Sequence, residues 1–170
     1  MDSGDRLILG APKGAWLRVF RCYLLFIALG NMLWELIQLP GFEDWSEASW
    51  KWLAFIAVMG TLGDILIAAT SLVLVLVIIG DESWPAQRSS YWRVDAHTTL
   101  AGVAYTTYSE WRHAVVLHHW RYSARMPLVP IVGVGLFPLL QWMLIPPLAF
   151  LCASLTLSRV TPLTNYSEAN

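Results

Sequence analysis

Runs of apolar residues alternate with short polar stretches along this 170-residue chain. Four of the runs are long enough to cross a hydrocarbon core of ~30 Å as helices. The first covers residues 21–40 and follows a basic stretch with Arg6, Lys13, Arg18 and Arg21. A cleaved leader would have a short apolar region and a small-residue cut site; here Asn31, Trp34, Glu35 and Gln38 follow, so a retained helix is expected. The second, 52–79, ends in an unbroken apolar run from 72 to 79 and exceeds the core thickness, so it should tilt or protrude. The third, 96–117, is the least hydrophobic and carries Glu110, Arg112 and His113, which suits a position buried in a bundle. The fourth, 129–157, holds Gly133-Val134-Gly135, Pro138, Pro146 and Pro147, so kinks are expected, with carbonyls freed near Val134 and Trp142. The pattern predicts an all-α polytopic membrane protein, one transmembrane domain over 1–170, built as a four-helix bundle with a Pro-kinked fourth helix.

Composition agrees. The chain is 56% hydrophobic and 14% charged, against roughly 25% charged in soluble domains, and its mean hydropathy is +0.52. A net charge of −1 sets up no field that draws nucleic acid. Cys22 and Cys152 lack the spacing of a zinc or redox pair and read as buried, inert thiols. Many of the ten tryptophans (Trp16, Trp45, Trp50, Trp52, Trp84, Trp92 and Trp120 among them) fall where apolar runs meet polar ones, as interfacial residues do. Seven of the 11 Lys and Arg residues lie on the side of the two termini and of the 80–96 loop, which places both ends in the cytoplasm. Asn165-Tyr166-Ser167 spells a glycosylation acceptor on that cytoplasmic side and is a chance match.

Ionisable residues inside spans are costly and mark function by default. Glu35, Asp64, Glu110 and His113 stand out, accompanied by Asn31, Gln38 and Gln141. In the N-in arrangement Glu35 lies roughly 7 Å below the outer boundary, Asp64 about 18 Å, Glu110 and His113 roughly 6–10 Å, and Gln141 about 15 Å. Every helix thus places polar groups in the outer half, and the inner half reads as nearly featureless. Helical spacing aligns Asn31, Glu35 and Gln38 on one stripe; Gly60, Asp64 and Ser71 on another; and Thr106, Glu110 and His113 on a third. Gly60 and Gly63 would let a neighbouring helix approach closely. Convergence of the stripes predicts a polar pocket facing outward. The alternative is a hydrogen-bonded network joining four helices, which rarely needs three carboxylic acids.

Several chemistries fit such a pocket. Glu35, Asp64 and Glu110, with Asn31, Gln38, His113 and Gln141, suit binding or handling of a proton, a small ligand or a lipid. Paired carboxyl groups at low dielectric share protons. Four helices are few for an alternating-access carrier, so transport would need a homo-oligomer or a membrane partner. The same three acids could instead serve as general acid and base in an enzyme acting on a lipid or isoprenoid, an isomerase or cyclase, with Trp34, Tyr105, Tyr108, Trp111 and Trp142 shielding a cationic intermediate. Glu110 and His113 also spell Glu-x-x-His, the ligand spacing of carboxylate metal bundles, although one such motif supports at most a mononuclear site. A further alternative is an accessory subunit of a membrane complex. No cofactor is specified by any motif. His118 and His119 could lid the pocket, and interaction with headgroups is the simpler reading of them.

Several strings occur together: Leu33-Trp34-Glu35-Leu36-Ile37-Gln38-Leu39-Pro40, Gly63-Asp64-Ile65-Leu66-Ile67-Ala68, Tyr108-Ser109-Glu110-Trp111, Trp120-Arg121-Tyr122-Ser123 before Met126-Pro127, and Pro138-Leu139-Leu140-Gln141-Trp142. In these the chain resembles an uncharacterised family of small multi-pass bacterial membrane proteins. The resemblance implies the bacterial inner membrane and a shared set of motifs around the polar cluster, and it implies no activity. A looser likeness, in size and in the acids of the first two helices, is to small sterol-isomerase-like membrane proteins.

Overall fold

A computed structural model describes residues 14–79 and 84–158. The basic N-terminal stretch before Gly14, residues 80–83 and the tail with Asn165 lie outside the described residues. Among the described residues there are four α-helices: α1 (Ala15–Gln38), α2 (Trp50–Ile79), α3 (Arg88–Glu110) and α4 (Leu136–Ser158). Residues 15–41, 50–79 and 136–156 are long and apolar enough to cross a membrane. Helix α1 packs chiefly against α2 and α4, and α3 packs against the same two. Hence α1 and α3 occupy one diagonal of the bundle and α2 and α4 the other.

The helices form because their sequences permit it, and they orient according to which side chains water or lipid can accept. On α1 the buried positions Ala15, Val19, Tyr23, Ile27 and Asn31 recur every four residues, one stripe of an α-helix. Leu25, Leu29, Leu33, Leu36 and Ile37 lie outside that stripe and are exposed. Helix α2 exposes Phe55, Met59, Leu62, Leu66, Val73 and Val77, apolar on its outer side as on its inner one, the pattern of a helix whose solvent is lipid. Helix α3 mixes two patterns: Ser90, Asp95, Thr98 and Thr106 are buried beside Tyr91 and Val94, while Leu100, Tyr105 and Tyr108 are exposed along with Arg88, Arg93 and His97. The core centres on Tyr23, Ile27, Leu72, Tyr91, Trp142 and Phe150. Phe150 meets Tyr23 at 4.7 Å and Tyr91 edge-on at 5.6 Å between ring centroids, spacings favoured by ring quadrupoles.

Two expected boundaries are corrected. The third helix begins at Arg88, eight residues before the expected start, because its inward stripe is polar and hydropathy alone does not register it. The fourth begins at Leu136 and not at 129. Residues 128–135 instead form a tight turn: Leu128 pairs with Gly135, Val129 N–H donates to the Val134 carbonyl at 2.8 Å, and Ile131 and Gly133 have φ of 77° and 68°. The Val134 carbonyl, expected to be freed by Pro138, is therefore partnered. Helix α4 continues through Pro146 and Pro147. Cys22 and Cys152 are free thiols and half-buried, not fully buried as expected.

Candidate functional site

Gln141, one turn and a half into α4, is the hub of the outer cluster. Its Nε2 donates to Asn31 Oδ1 on α1 at 3.0 Å and to Asp64 Oδ2 on α2 at 2.7 Å. All three side chains are buried. Both N–H groups of the amide are thereby used, leaving Oε1 as an acceptor. The Trp142 indole also engages Asp64. Glu35, one turn beyond Asn31 on α1, is engaged by Gln38, Gln141 and Asp64. Glu35 and Asp64 thus lie within hydrogen-bonding reach of each other.

Gly60 makes this pairing sterically feasible. A methyl group at position 60 would stand 2.8 Å from Glu35 Cδ and 2.9 Å from Oε2, so the Glu35 carboxyl occupies the volume a side chain would take. Gly63, expected to serve the same end, faces open space. Thr61 turns its hydroxyl back to the Ala57 carbonyl at 2.8 Å, a local bond that competes with nothing in the cluster.

Glu110 closes α3 at the edge of this group and within electrostatic reach of Glu35. Its carboxylate accepts a hydrogen bond from the Tyr122 hydroxyl. Tyr122 arrives from a connecting segment that spans the end of the bundle. Glu43 N–H donates to the Arg121 carbonyl at 3.1 Å, Ser123 N–H to the Gly41 carbonyl at 2.9 Å, and the Ser123 hydroxyl to the Pro40 carbonyl at 2.7 Å. Phe42 and Tyr122 form the antiparallel bridge between these strips, with rings 5.9 Å apart. An exposed Arg121–Glu43 pair at 3.1 Å adds little to it. Burial, and secondarily Glu110, pushes the Tyr122 hydroxyl above its ordinary value, so it remains a neutral donor. His118 and His119 are exposed, which suits the simpler reading of them as interfacial residues.

His113 makes its hydrogen bond and ring contacts outside the cluster, although it lies within electrostatic reach of Glu110. After Glu110 the chain widens into a π-helical turn, Trp111–Val116, which breaks the i, i+3 alignment that Glu-x-x-His requires. The His113 ring stacks on Trp120 at 5.3 Å, and its Nδ1 meets the Ser109 carbonyl at 2.8 Å. Among the described residues no group of three or more His, Cys, Asp and Glu side chains is gathered as a metal ion would need.

The structure therefore brings Asn31, Glu35, Gln38, Asp64 and Gln141 together, sets Glu110 beside them and leaves His113 apart. Trp142, expected only as a shielding ring, also engages Asp64, and sequence reasoning gave Tyr122 no role in the cluster. The expectation of a nearly featureless inner half is also corrected: Tyr23, Ser90, Asp95 and Thr98 are buried there. Asp95 fell just outside the span as its boundary was drawn.

The class of protein these features define is an all-helical chain with three membrane-capable helices and a buried carboxyl–amide cluster between them. No protein-family model, curated protein or solved structure matches it.

Proposed function

We propose that this chain is a four-helix inner-membrane protein of a bacterium, both termini cytoplasmic, whose Glu35–Asp64–Gln141 cluster binds a proton or a small polar ligand near the outer leaflet. Helix α3 is the fourth crossing in this reading, supported by its inward polar stripe and outward Leu100, Tyr105 and Tyr108. The observation that carries the reading is the meeting of two carboxyl groups, Glu35 and Asp64, around one amide whose donors are already committed. A network built only to join helices needs no second acid at low dielectric, where each charge costs several kcal/mol unless it is neutralised. A pair of acids lowers that cost by sharing a proton, and on this ground we read the cluster as a proton-binding site.

The test uses the full-length protein in detergent or nanodiscs. Co-purifying small molecules and lipids are identified by mass spectrometry for the wild type and for Glu35→Gln, Asp64→Asn and Glu110→Gln, each with its thermal stability. Loss of a bound species or of proton exchange at unchanged stability supports the site. Lower stability in all three, with no change in bound species or exchange, assigns the cluster to helix association instead.

A second reading rests on one observation, the Tyr122–Glu110 hydrogen bond at the rim. A carboxyl group held by a neutral phenol beside an acid pair is an acid/base arrangement suited to an isoprenoid or lipid substrate entering from the bilayer. Activity towards such a substrate that disappears in Glu110→Gln and falls in Tyr122→Phe would establish it.

A further inference from the structure

The inner end of the bundle holds a second set of buried polar groups that the outer cluster does not use. Asp95 of α3 is buried and accepts a hydrogen bond from Thr99 at 3.2 Å. One turn along the same stripe, Thr98 is fully buried and its hydroxyl has no partner among the described residues. From α1, the Tyr23 hydroxyl is likewise fully buried and has no partner among the described residues, and it lies within electrostatic reach of Asp95. Tyr91, one turn before Asp95, is committed to the Phe150 carbonyl at 2.6 Å. The other titratable groups facing this region are Cys22 of α1 and Cys152 of α4, both within reach of Tyr91. Helix α2 contributes Ser71, Leu72 and Val75 at its buried face, none of them titratable under ordinary conditions.

The two ends are well separated. Asp95 precedes Glu110 by 15 residues, about 22 Å of helix, and Tyr23 precedes Glu35 by 12 residues, about 18 Å. Between them lie Ile27, Ala68, Leu72 and Ile145, together with Trp142, whose ring fills the volume a Gly102 side chain would need. That layer is apolar and close-packed.

A buried hydroxyl left without a partner is destabilising. Two of them near a carboxyl group, with Ser90 Oγ a third at the same end, call for a small occupant able to donate and accept. Water meets that description, and a carboxylate beside water is a proton acceptor. We infer that Asp95, Thr98 and Tyr23 form a second, inner site that holds water and binds a proton, so that the bundle carries a proton-binding group near each end. In the exchange, an O–H bond forms on an Asp95 carboxylate oxygen as one breaks on a hydronium ion at the inner face, leaving water bonded to Thr98 and Tyr23. The inference shares with the preceding reading only the idea that the bundle handles protons; Asp95 is scored independently of Glu35 and Asp64.

Infrared difference spectroscopy of the full-length protein in nanodiscs, between mildly acidic and mildly alkaline pH, tests it. A carboxyl C=O band that titrates in the wild type is expected to vanish in Asp95→Asn and to persist in Asp64→Asn and Glu35→Gln. The same band is expected to shift in frequency in Tyr23→Phe and Thr98→Val, because each removes one hydrogen-bond partner of the bound water. These two isosteric changes leave the fold intact and keep the test decisive should Asp95→Asn fold poorly. Absence of a band assignable to Asp95, or a band indifferent to both hydroxyl deletions while thermal stability rises, overturns the inference, since the second result means the hydroxyls are dry. A band that responds to sodium but not to choline at equal ionic strength assigns the site to a monovalent cation and equally overturns it. Titrating bands from Glu35 and Asp64 in either case leave the outer site standing.

Discussion

Gln141 and Asp64 belong to helices on opposite corners of the bundle, yet their side chains meet at 2.7 Å across its axis. That contact, with the Asn31 bond from the same amide nitrogen, ties three helices at one level. Hydrogen bonds between membrane helices contribute about 0.6 kcal/mol on average and up to about 1.7 kcal/mol each. Gln141→Leu, close in volume, is therefore expected to lower stability by about 1–3 kcal/mol. Denaturation in mixed micelles reads this directly, and an Asn31→Ala/Gln141→Leu cycle should return a coupling close to one bond. A Gln141→Leu protein as stable as wild type would remove the amide from its place at the hub.

Gly60 and Gly102 face different neighbours and should respond differently to alanine. At position 60 the new methyl meets the end of a flexible Glu35 side chain. At position 102 it meets the ring of the fully buried Trp142. Gly102→Ala is expected to cost about 1–3 kcal/mol, the range for overpacking a dense core. Gly60→Ala should cost less but drive Glu35 away from Asp64, and Glu35→Ala should suppress that cost. Thermal melts of the two singles and of the Gly60→Ala/Glu35→Ala double check the pattern.

Tyr122 provides a pH-dependent contribution whose sign can be worked out. Its hydroxyl is held above the ordinary value in the folded protein, first by burial and then by Glu110. The unfolded chain loses this proton near pH ~10. The neutral phenol's contribution is therefore complete below that pH and is lost progressively as pH rises above it. Wild type should lose more stability than Tyr122→Phe between neutral and strongly alkaline pH, and the two curves should converge at high pH. Parallel curves would mean that neither burial nor Glu110 holds the phenol's proton in the folded protein.

Ile131 sits at the tip of the turn before α4, fully exposed and with φ of 77°. A β-branched residue is strained in the left-handed region, by about 1–2 kcal/mol. Ile131→Asn is expected to raise stability by about 1 kcal/mol, since asparagine tolerates that conformation. A melt unchanged or lowered by the substitution would show that the isoleucine side chain has an interaction of its own there.

The contrast between what was legible and what was not follows the physics of each segment. Helices α1 and α2 and most of α4 could be read from the chain because a long apolar run has few alternatives to a buried or membrane-embedded helix. The stripes through Asn31–Glu35–Gln38 and Gly60–Asp64 could be read because helical spacing is fixed by the backbone. The starts of α3 and α4 could not. Proline and glycine between 127 and 135 admit either a kinked helix or a turn, and the choice rests on bonds such as Leu136 N–H to the Pro127 carbonyl at 2.8 Å. The inward polar stripe of α3 looks hydrophilic in sequence and becomes intelligible only when three apolar neighbours surround it.

Residue types and their periodicity thus determined the all-helical, membrane-capable character of the chain and nominated Glu35, Asp64, Glu110 and Gln141. Tertiary structure alone decided that Gln141 spans a diagonal, that Tyr122 rather than His113 meets Glu110, and that Asp95 lies in a second buried polar region. Spacing along one helix fixes the direction of a side chain, whereas the partner it meets depends on the rotation and depth of other helices, which no local pattern encodes.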